Sequence, residues 1–280
     1  MSHIKSSLKH RFPRLTQIYQ ILRKGYVAPT FTGWGLTTTT SNPPWSDESL
    51  EKLNTVKGFN HAYSELLRLV AGDDFKLSQF AGQDILITLN SLLWRHYIVY
   101  WTALFAAKNC NDSKTHFVEC GTCDGLTAHF ALQAIKSLKV DSKMYLYDAW
   151  ESMREEYLTD TERTSEGTYS YLDINNTKNN LRDYGDRLIF NKGYIPDSFE
   201  VANNPSDIAW LHIDLNASKP TLATLDFFYE KIAKGGIILL DDYAWKGYEP
   251  TKASVDYFFL NKAVDLLQLP TGQALIIKNI

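Results

Sequence analysis

A chain of 280 residues, 44% hydrophobic and 13% aromatic, can bury one large core and carry an appended segment. With 22% charged residues, 15 Gly and 9 Pro, it fits neither a disordered nor a fibrous protein. Its 29 Lys and Arg against 32 Asp and Glu give a formal charge of −3, so no basic surplus exists to neutralise a phosphate backbone and a nucleic-acid partner is not expected. The three cysteines, Cys110, Cys120 and Cys123, are too few and too clustered for a disulfide scaffold, which points to a reducing, cytoplasmic setting. Lys5, Lys9, Arg11 and Arg14 precede no apolar run, so no secretory signal is read there. Residues 85–107 are rich in Leu, Trp and Tyr. Asn90, Ser91, Arg95 and His96 interrupt them, at a cost of several kcal/mol each in lipid, and a buried amphipathic helix is expected rather than a membrane span.

In chain order, Phe12, Leu15, Ile18, Tyr19 and Leu22 stand at helical spacing over 11–24. A Gly-, Pro- and Thr-rich loop follows over 25–44, with the aromatics Phe31, Trp34 and, just beyond, Trp45; it reads as a lid or oligomer contact, or as a loop packed on its own domain. Ser46 is an N-cap before Asp47 and Glu48, and further helices are predicted near 58–70 and 83–108. From residue 114 the period changes. Strands are predicted at 115–120, 144–147, 187–190, 208–213 and 237–240, with helices at 126–138, 173–184, 220–234 and 250–261. This alternation with buried strands argues an α/β fold with a mainly parallel sheet covered on both faces. The last runs, 264–269 and 274–278, are separated by Pro270, Thr271 and Gly272, which permits only an antiparallel hairpin. The organisation expected is a helical N-terminal extension over 1–110 and a ligand-binding domain over 111–280, with a soft boundary.

The strand ending in Glu119 runs into a loop with Gly121, Thr122 and Gly125 and then directly into a helix. Glycines there let a backbone approach a ligand, and a helix N-terminus offers unpaired N–H groups. The spacing is not that of a dinucleotide fingerprint. A carboxylate at the strand end repels a pyrophosphate but suits the ammonium of an amino-acid moiety, which favours S-adenosylmethionine (SAM). The next strand ends in Asp148, where ribose hydroxyls are held in such folds. Trp150 beside it is a candidate wall of the adenine pocket, as is the neighbourhood of 192–194. Each feature also has a plain structural reading, as a tight turn or a cap. Cys120 and Cys123 fit a redox pattern as well, although Asp124 would oppose a thiolate.

Two later strands end in Asp214 and in the pair Asp241–Asp242. In a parallel sheet both ends emerge at one edge, so the three carboxylates can converge. Such a trio repels unless a cation neutralises it, and all-oxygen ligation points to Mg²⁺ or Mn²⁺. The seven histidines are scattered and give no zinc spacing.

These residues resemble the class I SAM-dependent methyltransferases of the macrocin O-methyltransferase type, which methylate sugar hydroxyls. Glu119, Gly121 and Gly125 stand at that family's glycine motif, Asp148 at its second-strand acid, Tyr194 to Phe199 resemble the segment after its third strand, and Asp214, Asp241, Asp242 and Tyr243 match its metal-binding strand ends. The resemblance covers roughly 91–278. It implies a Rossmann-like, seven-stranded sheet with an antiparallel final hairpin and N-terminal helices that build homo-oligomers and cover the site. It also implies a SAM- and Mg²⁺-dependent transfer to a sugar or glycoside. One position departs. The relatives' second acid, proposed as general base, is Asn216 here, which cannot usefully accept a proton. A cation-acidified hydroxyl, Lys219 or His212 are the remaining routes. Asp214, Asn216 and Lys219 are thus the residues assigned to catalysis. Asn216 also keeps open a SAM-fold protein with other chemistry or a binding role.

Overall fold

The computed structural model describes residues 54–110, 115–136 and 142–278. The helix expected at 11–24, the loop at 25–44 and the Ser46 cap lie outside them. The elements in chain order are helix α1 (Asn54–Ala71), α2 (Ile85–Ser91), α3 (Leu93–Asn109), strand β1 (His116–Cys120), α4 (Leu126–Lys136), β2 (Met144–Asp148), α5 (Ile174–Asn180), β3 (Leu188–Lys192), α6 (Ser198–Val201), β4 (Ile208–Ile213), α7 (Ser218–Phe228), β5 (Ile232–Leu240), α8 (Glu249–Phe259), β6 (Leu266–Gln268) and β7 (Ala274–Ile277). The strands form one sheet in the order β3-β2-β1-β4-β5-β7-β6. β1 to β5 are parallel, and β7 pairs antiparallel with both β5 and β6. This is the mainly parallel seven-stranded sheet with a closing hairpin that the sequence predicts.

The helix expected over 83–108 is two helices, because Leu92 leaves helical geometry at φ −98°, ψ 3°. α3 is apolar nearly all round, with Val99, Ala103, Leu104, Ala106 and Ala107 buried, as suits a helix enclosed by its neighbours. Although read as part of an N-terminal extension, it packs on the sheet: Trp210 on β4 donates from Nε1 to Thr102 Oγ1 at 3.0 Å. β5 begins five residues before the predicted strand, because Ile232 pairs with Ile208 and the ladder absorbs Gly235 and Gly236 through a register shift.

Alternation along the strands makes two cores. Phe117, Met144, Leu146, Trp210, Ile237 and Leu239 face α1, α3 and α4. Val118, Tyr147, Leu211, Ile213, Ile238 and Leu240 face α7 and α8 through Leu225, Phe228, Val255 and Phe259. Among the described residues no helix is long and apolar enough to cross a membrane.

The loop after β1 is locked to the neighbouring strand end. Gly121 has φ +90°, and a Cβ there would lie 1.7 Å from the Asp214 carbonyl oxygen. Gly121→Ala is therefore expected to lower stability by roughly 3 kcal/mol or more, read as an earlier midpoint in urea unfolding.

His129 on α4 is buried edge-on against Phe75, and burial lowers its imidazole from 6.5 to about 4. The unfolded chain takes up that proton first, so stability is complete above pH 6.5 and falls as pH drops toward 4. The loss is about 3 kcal/mol. Urea midpoints across that range should flatten in His129→Phe.

Candidate active site

A cleft of about 470 Å³ opens at the carboxyl ends of β1, β2, β3 and β4, bordered by Gly121, Asp148, Gly193, Asp214 and Asn216 with Arg95 from α3. This is the crevice beyond the strand ends where open α/β sheets hold ligands, and its size suits a cofactor and a small acceptor.

Asp148 stands on its rim. Its two oxygens accept the backbone N–H groups of Cys123 at 2.8 Å and Trp150 at 2.6 Å, which ties the glycine loop to β2. Burial raises its carboxyl above the ordinary range, partly offset by these amides. Of the predicted cofactor residues, Asp148 and Gly121 border the cleft directly.

The others stand behind it. Glu119 is fully buried, because the register sets it opposite His212 on β4 and its Oε1 meets His212 Nδ1 at 3.1 Å. One oxygen of the seat expected for an ammonium group is therefore spent in a buried ion pair, while the other, Oε2, is buried without a hydrogen-bond partner among the described residues. Gly125 makes room for Leu181 rather than for a ligand. Thr122 is buried within the loop. Trp150, at φ +47°, turns its ring inward, donating from Nε1 to Cys123 O at 3.0 Å and Thr177 Oγ1 at 2.9 Å, so it braces the loop and is no wall of the cleft. Tyr194 does border it, its ring stacked on Tyr157 at 4.7 Å with the Arg154 guanidinium 4.3 Å from the Tyr194 centroid. Cys120 and Cys123 are free thiols, and burial pushes both well above their ordinary range, against a redox thiolate.

The three aspartates gather at the strand ends, but around a side chain rather than an open point: Asp214 and Asp241 share Arg95, and the Asp242 carboxyl is hydrogen-bonded to that of Asp214. Asp241 is fully buried and is held by Arg95. The guanidinium donates from Nε to both carboxylate oxygens at 2.9 Å and approaches Oδ2 with Nη2 at 2.8 Å, while Gln273 Nε2 donates to Oδ1 at 3.0 Å. Arg95 Nη2 also reaches Asp214 Oδ2 at 2.5 Å, and Nη1 donates to Thr127 Oγ1 at 3.3 Å. Asp242 Oδ2 accepts the Asn216 backbone N–H at 2.9 Å. Burial, then the Asp214 charge, pushes the Asp242 carboxyl well above its ordinary range. Burial and the Asp241 charge push Asp214 up to about 6. Burial works to raise Asp241 too, but Arg95 and then His212 hold it well below the ordinary range. Burial opposes charge on His212, yet Asp241 and Glu119 on either side raise it to about 9.

Among the described residues, His212, Asp214 and Asp241 each bring one ligand-type atom within 4.8 Å of the others. They do not fit a divalent cation. His212 is engaged with Glu119, and both aspartates already share the Arg95 guanidinium. A cation could enter only by displacing that guanidinium, which would leave it buried and unpaired.

Asn216, at φ +54°, spends its side chain on neighbours: Oδ1 accepts the Tyr248 hydroxyl at 2.5 Å and Nδ2 lies 3.4 Å from Asp214 Oδ1. Lys219 points away from the cleft and donates to the Glu156 carbonyl at 3.2 Å, because α7 begins at Ser218 and turns it outward. His212 lies in the sheet core and borders no cleft. Arg95 is the residue that sequence reasoning passed over. An arginine in an otherwise apolar helix signals a buried acid, since it is not left uncompensated.

Two substitutions separate the paired aspartates. Asp241→Asn leaves Arg95 undercompensated and should cost about 3–5 kcal/mol in urea unfolding at pH 7. Asp242→Asn replaces a carboxyl held largely protonated and should cost less than about 1 kcal/mol.

The family model for macrocin-O-methyltransferase (TylF) matches residues 101–265. Among solved structures, the O-methyltransferase NovP is 19% identical over 67% of this chain and 81% of its own, with a TM-score of 0.58. CalS11, a calicheamicin methyltransferase, is 16% identical over 85% of this chain and 99% of its own, with a TM-score of 0.55. At those identities the likeness is one of fold. No curated protein matches the chain by sequence. With more than half of its length matched by the family model, the chain belongs to the macrocin-O-methyltransferase family of SAM-binding methyltransferases.

Proposed function

We propose that this protein transfers the methyl group of SAM to a hydroxyl oxygen of a sugar or glycosylated small molecule. The observation that carries this reading is the single cleft edge on which Asp148, Gly121, Asp214 and Arg95 stand together at the carboxyl ends of the central strands. The residues present fit SAM, which when bound supplies an electrophilic methyl on a sulfonium. The Asp148 rim offers acceptors to ribose hydroxyls, and the Gly121 backbone lets the amino-acid end lie close. Tyr157, Tyr169, Tyr171 and Tyr194 line the same cleft. Their ring faces suit the C–H surface of a sugar and leave its hydroxyls to polar neighbours.

As the acceptor oxygen bonds to the methyl carbon, the carbon–sulfur bond breaks and the hydroxyl proton must leave. Asp214 takes it: the carboxylate borders the cleft, and its value of about 6 sits near neutrality, as a general base requires. Arg95, paired to its other oxygen, keeps that carboxylate oriented. The Mg²⁺ or Mn²⁺ that the family resemblance implies takes no step in this reading, because Arg95 already spans two of its three expected ligands, Asp214 and Asp241.

Isothermal titration with SAM and S-adenosylhomocysteine (SAH) tests the cofactor half, and Asp148→Ala should weaken SAH at least about tenfold, the loss of two or so hydrogen bonds. The transfer half is read by SAH release from SAM across a panel of nucleoside-diphosphate sugars and glycosides, with Asp214→Asn lowering kcat. A chain that binds neither SAM nor SAH does not work this way.

A further inference from the structure

We infer that Arg95 is the resident cation of this centre, so that the protein binds no divalent metal between its strand-end aspartates and its chemistry is metal-independent. The inference rests on the methyl-transfer reading for its purpose but on the charge geometry alone for its substance.

The guanidinium is not a surface group that can swing aside. All three of its nitrogens are engaged: Nε on both oxygens of Asp241, Nη2 between Asp241 and Asp214, and Nη1 on Thr127 Oγ1 and the His96 ring at 3.3 Å. These contacts join α3, α4, β4 and β5. Displacing the guanidinium would strand a fully buried carboxylate, Asp241, and a buried cation at once. The third expected ligand is taken as well: Asp242 Oδ2 accepts the Asn216 backbone N–H, and its carboxyl is hydrogen-bonded to that of Asp214.

Asn216 completes the argument. It stands where an acid would add negative charge to the cleft, yet it is neutral and is held between Asp214 and Tyr248. A centre neutralised by one guanidinium needs less opposing charge than one built around a divalent ion. Arginine stays protonated at any working pH and supplies fixed N–H donors, which suits an oxygen gaining negative charge as its proton departs to Asp214. What it cannot do is coordinate that oxygen directly. The transfer here therefore leans on a carboxylate base and an adjacent positive charge rather than on a metal-acidified hydroxyl.

The test is a Mn²⁺ titration, followed by electron paramagnetic resonance, of the full chain with and without SAH. The expected result is no stoichiometric Mn²⁺ site up to about 1 mM, and SAH affinity that EDTA leaves unchanged. In Arg95→Ala, which removes the guanidinium, Mn²⁺ should raise the melting temperature, while in the parent protein and in Arg95→Lys it should not. One Mn²⁺ bound per chain in the parent, lost in Asp214→Asn, overturns the inference. The parent titration decides the matter even if Arg95→Ala does not fold. Loss of SAH binding would instead sink the methyltransferase reading, leaving the Mn²⁺ result to judge the cation on its own.

Discussion

Burying an arginine beside two aspartates fixes more of this molecule than any other contact. Arg95 comes from a helix, Asp214 and Asp241 from the ends of two neighbouring strands, and the three are joined by contacts of 2.5–2.9 Å. None of these charges would be stable in the interior alone, because the cost of leaving water exceeds what any one hydrogen bond returns. Their mutual pairing therefore requires α3 to sit on the sheet at one rotation and one depth. The strand-end cleft takes its shape from that requirement.

Beneath the pair runs a second buried couple, Glu119 with His212, on the same side of the sheet. His212 lies between Glu119 and Asp241, so acid and base alternate across β1, β4 and β5 as far as Arg95. The alternation follows from strand periodicity: every second residue of adjacent parallel strands shares a face. Past the end of β5, Asp241 joins the charge row under α3, and Asp242, hydrogen-bonded to Asp214, accepts the backbone N–H of Asn216.

The strands themselves, the closing hairpin and the cleft's place at the carboxyl ends were legible because short buried runs, turn residues and strand-end acids are local signals. Side-chain direction was not. Glu119, Trp150 and Gly125 occupy positions where a motif suggests ligand contact, yet their neighbours His212, Thr177 and Leu181, remote in the sequence, turn them to internal tasks. The three aspartates do gather at the strand ends, and what the strand ends could not give is their partner. Counting them locates the edge of the sheet but not the buried cation two of the acids share, Arg95, 146 residues from Asp241 in the chain. That partner was visible all along as a charge within an apolar helix and was read there only as an argument against a membrane span.

The interruption of the helical run at Leu92 has a consequence for how such a centre can change. An α-helix turns about 100° per residue, so the point at which α3 starts afresh sets the compass bearing of every side chain after it. Arg95 is the third residue of that new start, with Ser91 and Leu92 themselves on the cleft border. The break thus acts as an indexing mark. Lengthening or shortening the segment ahead of it alters the roof of the cleft while the bearing of the charge behind it stays put, which leaves the acceptor end of the pocket open to drift while the charged edge is held.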